Sequence, residues 1–304
     1  MTVIGLDDTD SRDRGMCTTY VADSVARRLA AAGAAVERVL LVRCNPAVEY
    51  KTRGNAALAV HTDADASSAF DIASKVVQAA AETADDRTNP GVVVAYGRPG
   101  AVPDPVVDFS RAAVTDHHTM ENARRVAEAA DCRLETWKNG RGVIGALAAV
   151  GAWAAFDEWT YEHIAYRSPD RWGTARDVDG ESVFAAADAA YPSVWDTVDR
   201  GTGETVCGEV AAGTVKLEKF AVRGLRRVEA VTPTCPDCGR TMESAGSGQG
   251  YRCRDCGTAA DGRVPRPLER TLQVGWYEVP PRARRHVAKP LVRGGFDAPV
   301  HPER

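Results

Sequence analysis

Val3-Ile4-Gly5-Leu6-Asp7-Asp8-Thr9-Asp10-Ser11, followed by Gly15-Met16-Cys17-Thr18-Thr19-Tyr20, is the stretch around which this chain is organised. An apolar run of strand length ends in the carboxylates of Asp7, Asp8 and Asp10. A glycine turn follows, and a helical pattern (Tyr20, Val21, Val25, Leu29) begins at two threonines. Carboxylates at a strand end can ligate Mg2+, which prefers hard oxygen ligands. The free N–H groups of a helix's first turn favour anions. Strand, acidic loop and helix N-terminus together predict a metal-bound polyphosphate, in the form of an ATP site with Thr18 at its centre.

The rest of the chain bounds that reading. Its 304 residues leave room for two or three domains, and a formal net charge of -4 with 44% hydrophobic residues reads as a soluble globular protein. No stretch approaches the roughly 18 consecutive apolar residues of a membrane span. Met1-Thr2-Val3 enters a strand directly with no basic segment ahead of an apolar core, so a cytoplasmic location is expected. Of eight cysteines, four lie in one short block and the others (Cys17, Cys44, Cys132, Cys207) are scattered, which is metal-site usage and not a disulfide framework. The block reads Cys235-Pro236-Asp237-Cys238, fourteen residues, then Cys253-Arg254-Asp255-Cys256, with a glycine after each pair. Four thiolates at that spacing predict a closed, structural Zn2+ ribbon. Beyond it, Arg263, Arg266, Arg270, Arg282, Arg284, Arg285, Lys289 and Arg293 make a basic tail suited to a phosphate backbone.

Between these ends, hydrophobic periodicity predicts strands at 35–42, 56–60, 91–95 and 133–137 and helices at 23–32, 67–83, 120–130 and 143–155. Pro99 to Val107 reads as a loop. Arg43, Lys51 and Arg53 share the connection between the second and third strands, where converging cations suit a triphosphate; solvated charges on a hairpin fit that spacing equally well. Asp116-His117-His118 could bind a metal, although such residues more often flank a helix. Lys138-Asn139-Gly140-Arg141-Gly142 joins a strand to a helix, where Gly140 and Gly142 suggest close approach of the backbone to a ligand. Farther on, Thr160 to Arg167 alternates as a strand, Ser182 to Ala190 is helical and Val194 to Asp199 is a short strand, an order that suits a ferredoxin-like α+β module. Glu204 to Val210 and Val215 to Val222 read as two further strands that need a sheet.

The opening motif resembles that of the archaeal tRNA-Ile 2-agmatinylcytidine synthetases. So do Arg43-Cys44-Asn45-Pro46, Lys51-Thr52-Arg53-Gly54-Asn55, Gly140-Arg141-Gly142-Val143-Ile144-Gly145-Ala146-Leu147-Ala148, Thr160-Tyr161-Glu162 with Ile164-Ala165-Tyr166-Arg167, the cysteine ribbon, and the order of all of them. The resemblance covers nearly the whole chain. It implies an ATP-dependent ligase that replaces the 2-carbonyl oxygen of the wobble cytidine of a CAU-anticodon tRNA-Ile with agmatine, so that AUA is read. Phosphorylation of the cytosine 2-oxygen is the implied activation, and Thr18 matches the family's autophosphorylated threonine.

The same resemblance implies an α/β and α+β multidomain fold: a kinase-like ATP-binding domain at 1–135, a ferredoxin-like domain at 136–203, the remnant of an OB-fold at 204–232, and a zinc ribbon with its basic tail at 233–304. Asp7, Asp8 and Asp10 would hold Mg2+, with Asp7, Asp8, Asp10 and Thr18 catalytic. Gly15, Thr18, Thr19, Arg43, Lys51, Arg53 and Asn55 would bind ATP. Gly140, Gly142, Asp157 and Glu162 are expected on the substrate side, with the two carboxylates facing agmatine. One departure stands out. Thr205-Val206-Cys207 runs directly into Gly208-Glu209-Val210, where the family continues through a longer segment, so the end of the ferredoxin-like domain and most of the OB barrel are expected to be missing. The alternative function is therefore a catalytically impaired tRNA-binding protein that keeps ATP binding and autophosphorylation.

Overall fold

The computed structural model describes residues 1–156 apart from 12, 15, 46, 47, 53 and 54, the strand backbones at 162–166, 216–220, 222–223 and 264–265, and residues 234–260. The opening apolar run is a strand, β1 (Thr2–Asp7), at the middle of a six-stranded sheet. Helix α1 (Thr18–Ala31) leads to the hairpin of β2 (Val36–Arg43) and β3 (Ala56–Thr62). Then come α2 (Ala66–Ala80), β4 (Gly91–Tyr96), α3 (Asp104–Ala113), the short β5 (Asp116–His117), α4 (Met120–Ala129), β6 (Arg133–Thr136) and α5 (Val143–Ala155).

β1 pairs antiparallel with both β3 and β4, β3 with β2, and β4 with β6. Side chains alternate across a strand, and β1 uses the alternation fully. Ile4 and Leu6 pack with Val21, Val25 and Leu29 of α1 and with Ala73 and Val77 of α2. Val3 faces the opposite layer, with Val106 and Phe109 of α3 and Ala146, Leu147 and Val150 of α5. The result is a three-layer sandwich with a core on each side of the sheet. α5 is buried along most of its length.

The expected loop at 99–107 is a correction. A single 3-10 turn at Pro99–Ala101 is followed by α3, which begins at Asp104. Pro105 is tolerated in a first helical turn, where its missing N–H has no intrahelical partner to lose, and Asp104 suits the positive end of the helix. Proline thus starts an element here that composition alone reads as irregular.

Strand β7 (Glu162–Tyr166) pairs antiparallel with β8 (Lys216–Phe220), and β9 (Val222–Arg223) runs parallel to β2 at the edge of the main sheet. The predicted strand at 215–222 therefore finds its partners in two separate parts of the chain. The helix expected at 182–190, the strands at 194–199 and 204–210, and the basic tail beyond 265 lie outside the described residues. The ribbon consists of β10 (Met242–Ser244), β11 (Tyr251–Cys253) and β12 (Ala259–Ala260), and β13 (Val264–Pro265) pairs with β5.

Two features of the sandwich yield predictions. Gly5 lets α5 press against β1, since a Cβ there would overlap the carbonyl of Ala146. Gly5→Ala is predicted to destabilise the protein by about 1–3 kcal/mol, the usual cost of overpacking, read as a lower urea midpoint at unchanged slope. His61 is fully buried, its two ring nitrogens have no hydrogen-bond partner, and its ring meets that of Trp153 at 6.1 Å. Burial, then the charge of Arg38, pushes its pKa down to about 3. The folded state therefore resists protonation that the unfolded chain accepts below its ordinary value near 6.5. Stability from this group is complete above about pH 6.5 and falls as pH drops towards 3, and His61→Gln should flatten that slope in unfolding titrations.

Candidate active site

Where β1 ends, the chain turns sharply. Asp8 adopts φ of 58°, in the left-handed region that few residues other than glycine, asparagine and aspartate enter. The turn sends the two neighbouring carboxylates different ways. Asp7 keeps the α5 side of the sheet, against Gly145, where a Cβ would collide with its carboxylate. Asp8 accepts from Arg141 Nη2 at 2.6 Å, from the backbone N–H of Asn89 at 3.1 Å and from Thr52 Oγ1 at 3.2 Å.

Both carboxyls are raised above their ordinary pKa. Burial is the main cause at Asp7, followed by the charge of Asp8. At Asp8 burial again leads, opposed by Arg141. Arg141 is itself buried, and its Nη2 also donates to the carbonyl of Arg87 at 2.8 Å.

Thr18 begins α1, and Thr9 Oγ1 lies 3.0 Å from Thr18 Oγ1, which ties the acidic loop to the helix start. No side chain caps α1, and no acidic residue occupies its first turn. Thr19 is buried, with Oγ1 3.0 Å from Cys17 Sγ. The start of α1 thus has neither a side-chain cap nor an acidic residue in its first turn, an arrangement that suits a phosphate.

The other expected site residues fall around this centre. Arg43 ends β2 and Asn55 precedes β3, with Asn55 Nδ2 donating to Asn45 O at 2.8 Å. Lys51 Nζ donates to Val48 O at 2.6 Å. Asp10 accepts through its carbonyl from Thr88 Oγ1 at 2.7 Å, and its charge adds to that on Asp7. Gly140 has φ of 80°, which a glycine takes without strain. Gly142 caps α5 and lies so close to Gly91 N and Asp7 O that a Cβ would collide with both. Both glycines thus hold the turn that delivers Arg141. Gly15, Arg53 and Asp157 lie outside the described residues, and Glu162 is described only by its place at the start of β7.

A cleft opens beside Asp7, lined by Cys44, Asn55, Arg141 and Gly145 of the sandwich, by Glu49 and Tyr50, and by Ser244, Gly248 and Tyr251 of the ribbon. His117 and His118 belong to its wall. The ring of His117 stands edge-on to Tyr251 at 4.8 Å and His118 packs on Phe109 at 4.2 Å, while Thr119 caps α4 by accepting from Asn122 N.

Among the described residues, the one group of three or more His, Cys, Asp or Glu side chains placed to hold a metal is Cys235, Cys238, Cys253 and Cys256, with sulfurs within 4.8 Å of one another. Sγ separations of 3.5 Å (Cys235–Cys256 and Cys238–Cys253) and 3.7 Å (Cys238–Cys256) approach the roughly 3.8 Å that tetrahedral Zn–S bonds of about 2.3 Å require. Asp7, Asp8 and Asp10 form no such three-ligand group. They supply hard oxygens instead: two adjacent carboxylates, Asp8 buried and Asp7 half-buried, whose combined charge a divalent cation would neutralise.

Family models match in three places: the TiaS TCKD domain at residues 3–64, the TiaS FLD domain at 140–232 and the TiaS C-terminal zinc ribbon domain at 232–272. The isoleucine-tRNA 2-agmatinylcytidine synthetase TiaS of Haloquadratum walsbyi is 37% identical, with 100% of each chain covered. The chain belongs to the TiaS family. The alignment with that TiaS runs over 462 positions whereas this chain has 304 residues, so the relative carries residues at many positions where this chain has none. Among solved structures, a complex of TiaS with its isoleucine tRNA and ATP is similar at 28% identity and a TM-score of 0.63, covering 94% of this chain and 95% of that one. A complex of TiaS with the same tRNA, AMPCPP and agmatine follows at 26% identity and a TM-score of 0.61, with 99% of each covered.

Sequence reasoning passed over Arg141, Thr52 and Asn89 as site residues. Arg141 was legible in principle, because an arginine between two glycines after a strand has no obvious solvent face. Arg141→Ala is predicted to cost about 3–5 kcal/mol by leaving Asp8 buried and unpaired. Asp8→Asn added to Arg141→Ala should recover part of that loss in urea unfolding.

Proposed function

We propose that this chain joins agmatine to the wobble cytidine of the CAU anticodon of tRNA-Ile at the expense of ATP, in the cytoplasm. The relatives and complexes of the TiaS family favour this synthetase over an impaired tRNA-binding remnant. The observation that carries the assignment of residues is the Thr9–Thr18 hydroxyl contact, which ties the loop directly after Asp7 and Asp8 to the uncapped start of α1.

A cytosine carbonyl is a poor leaving group until its oxygen carries a phosphoryl group, and phosphoryl transfer is mostly positioning and charge neutralisation. Asp7 and Asp8, with Asp10 beside them, would hold Mg2+, which when bound offsets the phosphate charge. The N–H groups at Thr18 and Thr19 receive phosphate oxygens, and the Thr18 hydroxyl is the candidate phosphoryl acceptor. Arg43, Lys51 and Arg53 supply cations from the β2–β3 connection, with Asn55 fixing its end. Arg141 holds the Asp8 carboxylate in one orientation and opposes the rise in pKa that burial causes.

The wobble base must leave the anticodon stack to reach these groups. Agmatine carries a guanidinium at one end and the attacking amine at the other, so Asp157 and Glu162 are assigned to it as carboxylate partners, with Gly140 and Gly142 shaping the neighbouring turn. The kinase-like, ferredoxin-like and OB-remnant divisions at 1–135, 136–203 and 204–232 are part of the same proposal, and the cysteine cluster holds a structural zinc.

The test uses purified chain, γ-labelled ATP, a transcript of the CAU-anticodon tRNA-Ile and labelled agmatine. Thr18→Ala and Asp8→Asn should each lower agmatine incorporation by about 10²-fold or more, the usual size for groups that position or stabilise transferring charge. Wild-type incorporation by both variants would refute the assigned site, and no incorporation by the parent chain would refute the activity.

A further inference from the structure

The zinc ribbon is seated against the phosphate site by a closed circuit of hydrogen bonds. Arg141 uses Nη2 for Asp8 and Nη1 for the hydroxyl of Ser247, at 3.2 Å. Ser247 also accepts from Asn139 Nδ2 at 3.3 Å. Asn139 N donates to Asn89 Oδ1 at 3.4 Å, and Asn89 N returns the circuit to Asp8. Four of its five members belong to the sandwich, and Ser247 alone comes from the ribbon.

Ser247 stands at the tip of the β10–β11 hairpin, whose turn is closed by Ala245 N to Gly250 O at 2.9 Å and Gln249 N to Gly246 O at 3.1 Å. The tip is fixed independently of Ser247. Met120 N donates to Gly248 O at 3.0 Å, and Tyr251 meets the ring of His117. At its other end the hairpin carries Cys253, paired in register with Met242, so the cysteine cluster sets where the tip lies.

We propose that Ser247 is a positioning residue for the phosphate site: the ribbon hairpin holds the second arm of the Arg141 fork and so fixes the arginine that orients Asp8. The inference rests on the assignment of Asp8 to the ATP site. A guanidinium presents its donors in a rigid plane; Asp8 and the Arg87 carbonyl share Nη2, and the Ser247 hydroxyl on Nη1 fixes the other arm of that plane. Lysine, a point donor, would keep the charge on Asp8 and lose the second arm.

The test measures binding of a non-hydrolysable ATP analogue with Mg2+, steady-state constants for ATP and tRNA, and zinc content, all in the full chain. Ser247→Ala should weaken the analogue and raise the KM for ATP about fivefold, within the range for the net contribution of one typical hydrogen bond. tRNA affinity and zinc content should stay unchanged, and Ser247→Thr should restore ATP binding to within twofold. In an Arg141→Lys background, Ser247→Ala should add nothing. Unchanged ATP binding by Ser247→Ala, the same loss in the Arg141→Lys background, or a loss confined to tRNA affinity would each overturn the proposal. Asp8→Asn separates the two layers: if it leaves ATP affinity intact, the site assignment fails and this inference fails with it. If it impairs ATP binding while Ser247→Ala does not, the inference alone fails.

Discussion

Two adjacent carboxylates at the end of the central strand, Asp8 buried and Asp7 half-buried, impose the main constraint on this protein. Water stabilises a carboxylate far better than a protein interior does, so Asp7 and Asp8 must be compensated by what surrounds them. For Asp8 the compensation is covalently distant: Arg141, a backbone N–H at Asn89 and a hydroxyl at Thr52 converge from three separate connections. For Asp7 it is incomplete, which is why burial and the charge of Asp8 hold its carboxyl well above the usual range. A site left this way has an unmet demand for positive charge.

The close approach of α5 to β1 follows from the same constraint. Gly5, Gly142 and Gly145 remove side chains where helix and strand meet, and the helix can then begin directly over Asp7. Its N-terminal dipole faces the carboxylate, and the turn before it presents Arg141 to Asp8. Packing and electrostatics are satisfied by one placement of one helix, so a change at any of these glycines acts on the site as well as on stability.

Much of this was legible in the sequence, for identifiable reasons. The central strand, the acidic loop and the helix beginning at the two threonines follow from local periodicity, and the cysteine ribbon from spacing. Arg141, Asn89 and Thr52 were not, because their roles depend on contacts between residues far apart in the chain, which no local pattern records. α3 was hidden by its own opening prolines, and the strand at 215–222 by partners that lie at 162–166 and at the β2 edge. Family membership is carried by motifs spread from the first strand to the ribbon. The positions of the longer relative that are unmatched here leave the Asp7–Asp8–Thr18 centre and the cysteine cluster intact.

The parallel pairing of β9 with β2 has a bearing on how the protein is made. An exposed sheet edge invites pairing with other chains, and here the open side of β2 is covered by residues 222–223, while β5 is paired by residues 264–265. While the residues between α5 and β9 are being made, a nascent chain emerging from the ribosome therefore carries a nearly finished sandwich whose β2 edge is bare, in addition to the edge at β6. Non-local pairings of this span are slow to form, so the interval before β9 arrives is when the young sheet is most open to mispairing with its neighbours on a polysome.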